Sequence, residues 1–235
     1  YEGRSMVEMV TGQEYLDLEV NPTVDNAMRV HQHLVRLGVR WMPDYSETVL
    51  DEVRPEVDCT DYLDEIRALS KGSGLPLEQI LTRAKLPEIL RCIKPKTLIY
   101  SLYIQGIEKI LYDAITAAGW KVGFYTGDDK SGLDDFINGN VDVLIGTDAI
   151  GTGLDGLQSV CDQLIVNVLP WTAAGYQQLR GRIYRQGQTS DKVTVIIPTT
   201  YAEVGGERWS WCEYKWRRVQ FKKSMADAAV DGVVP

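Results

Sequence analysis

Two arginines three residues apart, Arg182 and Arg185, stand behind Gly181 in the run Gln178-Leu179-Arg180-Gly181-Arg182-Ile183-Tyr184-Arg185-Gln186-Gly187-Gln188. On a helix, that spacing puts both side chains on one face. Guanidinium groups stay charged and donate in forks, so a converging pair suits a polyphosphate. Upstream lies a second polar, glycine-broken stretch, Gly146-Thr147-Asp148-Ala149-Ile150-Gly151-Thr152-Gly153-Leu154-Asp155. It follows the apolar run Val141–Ile145, which has the pattern of a buried strand. A strand that ends in Thr, Gly and Asp brings backbone N–H groups and hydroxyls beside phosphate oxygens.

The elements that must position these groups have a regular rhythm. Strands are expected at Thr97–Tyr100, Lys121–Tyr125, Val141–Ile145, Gln163–Val168 and Lys192–Ile197. Between them fall a helix from Ile104 to Ala118, with Ile107, Ile110, Leu111 and Ile115 inward, and a short one near Leu133–Ile137. A third starts near Ala173 and carries the two arginines. Short continuous apolar strands alternating with helices predict a parallel sheet covered on both faces. Ligands of such sheets sit beyond the carboxyl ends of the strands, where Lys96-Thr97-Leu98-Ile99-Tyr100-Ser101 and the Gly146–Asp155 stretch both point.

These segments resemble a known family. Gly146–Asp155 resembles motif V of the superfamily-two helicases, and Gln-x-x-Gly-Arg-x-x-Arg from Gln178 to Arg185 resembles their motif VI. Lys96–Ser101 is similar to motif IV. The Arg-x-Gly-Gln ending at Gln188, with Pro170-Trp171 ahead of it, looks closest to the Swi/Snf-type DNA translocases. Asp155 stands where that branch often carries Asn and the DEAD-box branch carries Asp. The resemblance runs from about Arg83 to Thr200 and implies the C-terminal RecA-like lobe of an ATP-dependent translocase or helicase.

By that resemblance Arg182 and Arg185 are arginine fingers, reaching the γ-phosphate of ATP held on a partner lobe. Gly153, Asp155 and Gln178 would contact the nucleotide: glycine by close backbone approach, Asp155 by accepting from a ribose hydroxyl, Gln178 by hydrogen bonding. Ser101, Thr126, Gly127 and Thr147 would meet the nucleic-acid backbone, whose phosphates suit short hydroxyl donors. Each has a plainer alternative. The arginines and Gln178 suit an exposed helix surface, Asp155 a helix cap, and the hydroxyls ordinary strand-end turns. Trp171 fits core packing better than base stacking.

No Gly-x-x-x-x-Gly-Lys-[Ser/Thr] occurs in the 235 residues, nor an Asp-Glu-x-[His/Asp] at the end of an apolar strand. ATP and Mg²⁺ would therefore be bound mainly by an N-terminal RecA-like lobe that is not in this chain. The partners implied are that lobe and nucleic acid, double-stranded DNA first among them. The alternative is a non-catalytic nucleic-acid-binding or interaction module on the same fold. A transferase using a nucleotide-linked donor is disfavoured by the paired arginines.

A net charge of −8 argues against a surface that coats polyanions generally, though a local groove can be basic on an acidic body. The late stretch Lys215-Trp216-Arg217-Arg218 to Lys222-Lys223 is the one basic cluster. Beside Trp209 and Trp211 it could offer an aromatic–basic surface to nucleic acid, or dock a helix on the lobe with its basic side solvated. Cys59, Cys92, Cys161 and Cys212 form no Cys-x-x-Cys pair, so neither zinc nor a disulfide framework is indicated. His31 and His33, two apart, do not share a helix face and suggest no metal. No apolar run of eighteen residues predicts a membrane span. A cytoplasmic or nucleoid-associated protein is expected, and a start at Tyr1 without Met or a leader suggests an excised piece of a longer one.

Three segments follow: residues 1–75 linking to the absent lobe, 76–200 as the RecA-like lobe, and 201–235 as a bracing helix and tail. Within the first, Tyr15–Val20 alternates like a strand, Met28 to Leu37 has helical spacing, Thr48–Asp58 is extended and Asp61–Leu69 helical. Lys71–Gly74 is a loop, and Pro76 opens a helix that continues past Pro87. Glu207 to Ala229 is expected to form one long helix.

Overall fold

The computed structural model describes residues 48–70, 74–103, 105–151 and 156–231. The expected strand over Tyr15–Val20, the helix over Met28–Leu37, and His31, His33, Gly153 and Asp155 lie outside them. The described residues all belong to one compact unit.

Its centre is a six-stranded sheet in the order β1-β7-β6-β3-β5-β4, every neighbouring pair parallel. The strands are β1 (Val49–Val53), β3 (Thr97–Ser101), β4 (Val122–Tyr125), β5 (Val143–Gly146), β6 (Gln163–Val168) and β7 (Lys192–Ile196). In β3, β5 and β6 every residue is buried, which is what central strands of a two-sided parallel sheet require. Alternate residues of each strand feed two cores. Ile99, Val143, Ile145 and Ile165 face α2 (Gly74–Cys92) and α3 (Ile107–Ala117), meeting Ile89, Ile107, Leu111 and Ile115. Leu98, Leu144, Leu164, Val166 and Val195 face α4 (Gly132–Asn138) and α5 (Ala173–Arg180), meeting Phe136, Tyr176 and Leu179. This is the α/β architecture expected, a parallel sheet with helices on both faces, closed by a C-terminal helix.

The α3 face follows the expected spacing, with Ile107, Leu111 and Ile115 fully buried and Ile110 half-buried. A short α1 (Leu63–Ala68) falls within the segment expected to be helical over Asp61–Leu69, and α2 runs through Pro87, whose missing N–H deprives the Arg83 carbonyl of its helical donor. Polar residues at the amino end of the sheet are paired. The Gln163 side-chain nitrogen donates to the Cys92 carbonyl at 2.7 Å and to the Thr97 hydroxyl at 2.9 Å.

Two features depart from the sequence expectation. The extended segment 48–58 divides: β1 is an edge strand of the main sheet beside β7, and β2 (Glu56–Asp58) lies parallel to β8 (Thr199–Val204). Residues 49–58 therefore take part in the lobe's own sheets rather than standing apart in a segment that ends at 75. The long helix expected from Glu207 starts only at Trp211. Residues 199–209 instead form a hairpin of β8 and β9 (Glu207–Trp209), paired antiparallel around Gly205-Gly206. Both glycines have positive φ, +62° and +84°, the conformation a tight two-residue hairpin turn demands. The last helix, α6, spans Trp211–Asp231.

Candidate nucleotide and nucleic-acid site

The carboxyl ends of β3, β5 and β4 are level, because Tyr100 and Tyr125 both pair with Gly146. Ser101, Thr147 and Thr126, each one residue further, consequently line up along one edge, as the sequence reading required. Their availability differs. Ser101 is 2% exposed, and its hydroxyl donates to the Tyr103 carbonyl at 2.7 Å. Thr126 is 8% exposed, and its oxygen accepts from the Asp128 and Asp129 N–H groups at 3.3 and 3.0 Å, closing the turn after β4. In both, the hydroxyl is engaged in the strand-end turn. Thr147 is half-buried, with its N–H bonded to the Tyr125 carbonyl at 3.2 Å, and Gly127 is exposed with open space around it. The edge thus offers Thr147 and the Gly127 backbone outward, over a base stiffened by Ser101 and Thr126.

Glycine at 146 is compulsory for another reason. A Cβ there would overlap the Ile150 side chain, which folds back over the strand end and is fully buried. Beyond it the Tyr100 hydroxyl donates to the Asp148 carboxylate, tying the end of β3 to the start of the Asp148–Gly151 turn. Burial, then the Asp148 contact, raises the Tyr100 pKa far above the ordinary phenol value. This tyrosine stays neutral and donates.

The arginine pair does not sit on a helix. Its helix, α5, opens with Thr172 as N-cap, whose hydroxyl accepts from the Gly175 N–H at 3.1 Å, and closes at Arg180. Residues 181–188 continue as turns, through bonds from the Arg182 N–H to Leu179 (3.1 Å), Ile183 to Arg180 (3.2 Å) and Gln188 to Arg185 (3.1 Å). Glycine at 181, with its low helix propensity, gives up the regular ladder there. Buried Ile183 pins the middle of the turn, leaving Arg182 half-buried and Arg185 exposed. Gln178 is exposed on α5.

Both ends of this turn are clamped, the entry by a residue that the sequence reading did not single out and the exit by one that it read only as part of the motif. At the entry, the Arg180 guanidinium pairs with Glu52 of β1 at 2.9 Å. Glu52 also lies close to Tyr176, where burial first and this carboxylate second raise the phenol pKa. At the exit, the Gln188 side chain donates to the Cys161 carbonyl (3.0 Å) and the Ile183 carbonyl (2.7 Å) and accepts from the Thr189 and Ser190 N–H groups, both at 2.9 Å. This ties the turn to the segment that leads into β6. Gln188 was visible as part of the motif; Glu52 had no local signal, because its partner lies far off in sequence. Cys161, beneath, is fully enclosed, and burial pushes its thiol up to about 12, so it is a packing group.

The last helix docks by its tryptophans. Trp211 donates to Glu78 at 2.9 Å and meets Trp171 edge-on with ring centres 6.1 Å apart. Trp171 donates to the Tyr103 hydroxyl at 3.0 Å. Trp216 packs edge-on against Tyr176 and carries the Arg54 guanidinium 3.7 Å from its ring centre. These rings are occupied by packing, as the plainer alternative held. Between them lies a buried ion pair, Lys215 to Glu78 at 3.2 Å, the side chains only 2% and 3% exposed. Burial lowers the Lys215 pKa despite Glu78. A cleft of about 220 Å³ beside Trp216, lined by Arg54, Leu169, Ile197 and Arg217 among others, is smaller than ordinary small-molecule sites. Among the described residues, no group of three or more His, Cys, Asp or Glu side chains is placed to hold a metal, and no helix is long and apolar enough to cross a membrane.

Part of this chain is similar to known proteins. Residues 82–187 match the family described as helicase conserved C-terminal domain. A curated relative, the uncharacterized ATP-dependent helicase YqhH of Bacillus subtilis, is 31% identical over 110 residues, 44% of this chain and 19% of that protein. The match thus spans about a fifth of the relative's length. Among solved structures, the C-terminal part of the Fun30 ATPase domain superposes with a TM-score of 0.43 at 17% identity, covering 68% of this chain and 51% of that one. A DEAD box protein from Methanococcus jannaschii gives 0.46 at 16% identity, covering 83% and 46%. The segment from residue 82 to 187, which carries the arginine turn and the strand-end hydroxyls, is thus similar in sequence to a helicase conserved C-terminal domain.

Proposed function

We propose that this chain is the C-terminal lobe of an ATP-dependent nucleic-acid translocase or helicase, of the Swi/Snf type and acting on DNA. Arg182 and Arg185 supply positive charge to the γ-phosphate of ATP held by an N-terminal lobe. By the sequence resemblance Gln178, Gly153 and Asp155 would contact the same nucleotide, and Thr147 and Gly127 would meet one strand's phosphates. The observation that carries the reading is the clamped turn: Glu52 holds its entry, Gln188 its exit and Ile183 its middle. A finger that is already in place loses little freedom when the lobes close, which is what transition-state electrostatics demands. Opening and closing of the lobes would shift the Ser101–Thr126–Thr147 edge along the nucleic acid in small steps.

One lobe carries no phosphate cradle, so the purified 235-residue chain is expected to turn over no ATP, with or without duplex DNA. Phosphate release by the chain alone, abolished in Arg182→Ala, would contradict the two-lobed site.

A further inference from the structure

Half of α6 is spent on the lobe, through Cys212, Lys215, Trp216 and Val219. Among the described residues, nothing covers the opposite face. Tyr214, Phe221 and Met225 are 47%, 61% and 45% exposed, three of the six large hydrophobic side chains exposed among the described residues. They are joined by Arg218 in the series 214, 218, 221, 225, alternating steps of four and three that keep all four on one stripe. Arg218 holds its guanidinium 5.5 Å from the Tyr214 ring centre, within the stripe. Arg217 flanks one side and Lys222 the other, Lys222 also reaching the Trp171 carbonyl at 3.4 Å. Among the described residues of α6, Glu213 offsets part of this charge, pairing with Arg217 at 3.7 Å, but it is shared with Arg208 at 3.3 Å.

We infer that this face of α6 is a docking seam for an acidic amphipathic helix of a partner protein. Apolar side chains at heptad spacing accept the a and d residues of a facing helix, and the flanking cations select glutamates at its e and g positions. A second copy of this chain is a poor occupant, because either orientation sets Arg217, Arg218 and Lys222 against their own kind. Nucleic acid is a poorer one: Met225 has no ring to stack, and Arg218 lies within the apolar stripe beside Tyr214 rather than along a phosphate track.

The test uses the 235-residue chain and a dye-labelled three-heptad peptide with Leu at a and d and Glu at e and g, whose like charges keep it monomeric. Fluorescence anisotropy should show binding that weakens at least about tenfold with Phe221→Ser and with Arg218→Glu, each such tenfold being about 1.4 kcal/mol. Val49→Ser, an exposed position on β1, should change nothing. Residue 221 is exposed, so the variant keeps its fold, which unchanged circular dichroism verifies. Equal binding of a scrambled peptide of the same composition, no binding, or indifference to Phe221 overturns the proposal. So does a single-stranded oligothymidine that binds with the same Phe221 dependence, or self-association of the chain that Phe221→Ser abolishes.

Discussion

At the scale of residues, charge placement matters more than charge count. Arg182 and Arg185 owe their positions to neighbours that touch no ligand. Gln188 makes four hydrogen bonds in closing their turn, two of them to carbonyls of residues that are themselves buried, Cys161 and Ile183. Gln188→Ala orphans those acceptors, so a loss of about 1–3 kcal/mol in urea unfolding is expected. Tyr100 offers a check by pH. Its folded pKa lies above the ordinary 10.0, because burial and the Asp148 contact favour the neutral phenol. Above pH 10 the unfolded chain releases this proton while the folded one keeps it, so the unfolded state binds fewer protons and stability falls as pH rises. Tyr100→Phe should be less stable at neutral pH by about 0.5–1.5 kcal/mol, yet lose stability less steeply above pH 10. Parallel curves for the two proteins would remove Tyr100 from that role.

At the scale of elements, the last helix is held by a costly device. Lys215 and Glu78 are both almost fully enclosed, and Lys85, also buried, gives its ammonium to the Asn167 carbonyl at 2.5 Å. Lys215→Met leaves the Glu78 carboxylate buried without its cation, so a loss of about 3–5 kcal/mol is expected, with most recovered in the Glu78→Gln, Lys215→Met double variant. Calorimetric melting of the four proteins completes that cycle; additive losses would mean the pair is not coupled. The elements themselves were unevenly legible. The strands β3, β5 and β6 announced themselves as short apolar runs, and β6 was placed residue for residue. The β8–β9 hairpin was not, although Gly205-Gly206 between Thr199–Val204 and Glu207–Trp209 is a hairpin signal. A helical pattern through Trp209, Trp216 and Val219 masked it, and it proved to hold only from Trp211. Residues 181–188 have helical spacing yet form turns, since spacing alone cannot distinguish a helix from turns that keep nearly helical bonds.

At the scale of the whole molecule, the compact unit starts well before α2, since β1 completes the sheet and supplies Glu52 to Arg180. Edge strands have few local signals, as β1 is half polar and shows its role only through pairing with β7. The motif edge at Ser101, Thr126 and Thr147 is legible because each directly follows a short apolar run that forms a strand. What their hydroxyls bind was not, because a turn bond depends on the residues two or three further on. The account therefore rests on the arginine pair. Its most direct test is steady-state ATP hydrolysis, in the presence of duplex DNA, by a polypeptide that joins this lobe to a P-loop lobe. Arg182→Ala and Arg185→Ala should each lower kcat by about a thousandfold, the low end of arginine-finger effects, with KM for ATP changed far less. Unchanged kcat in both variants would contradict it.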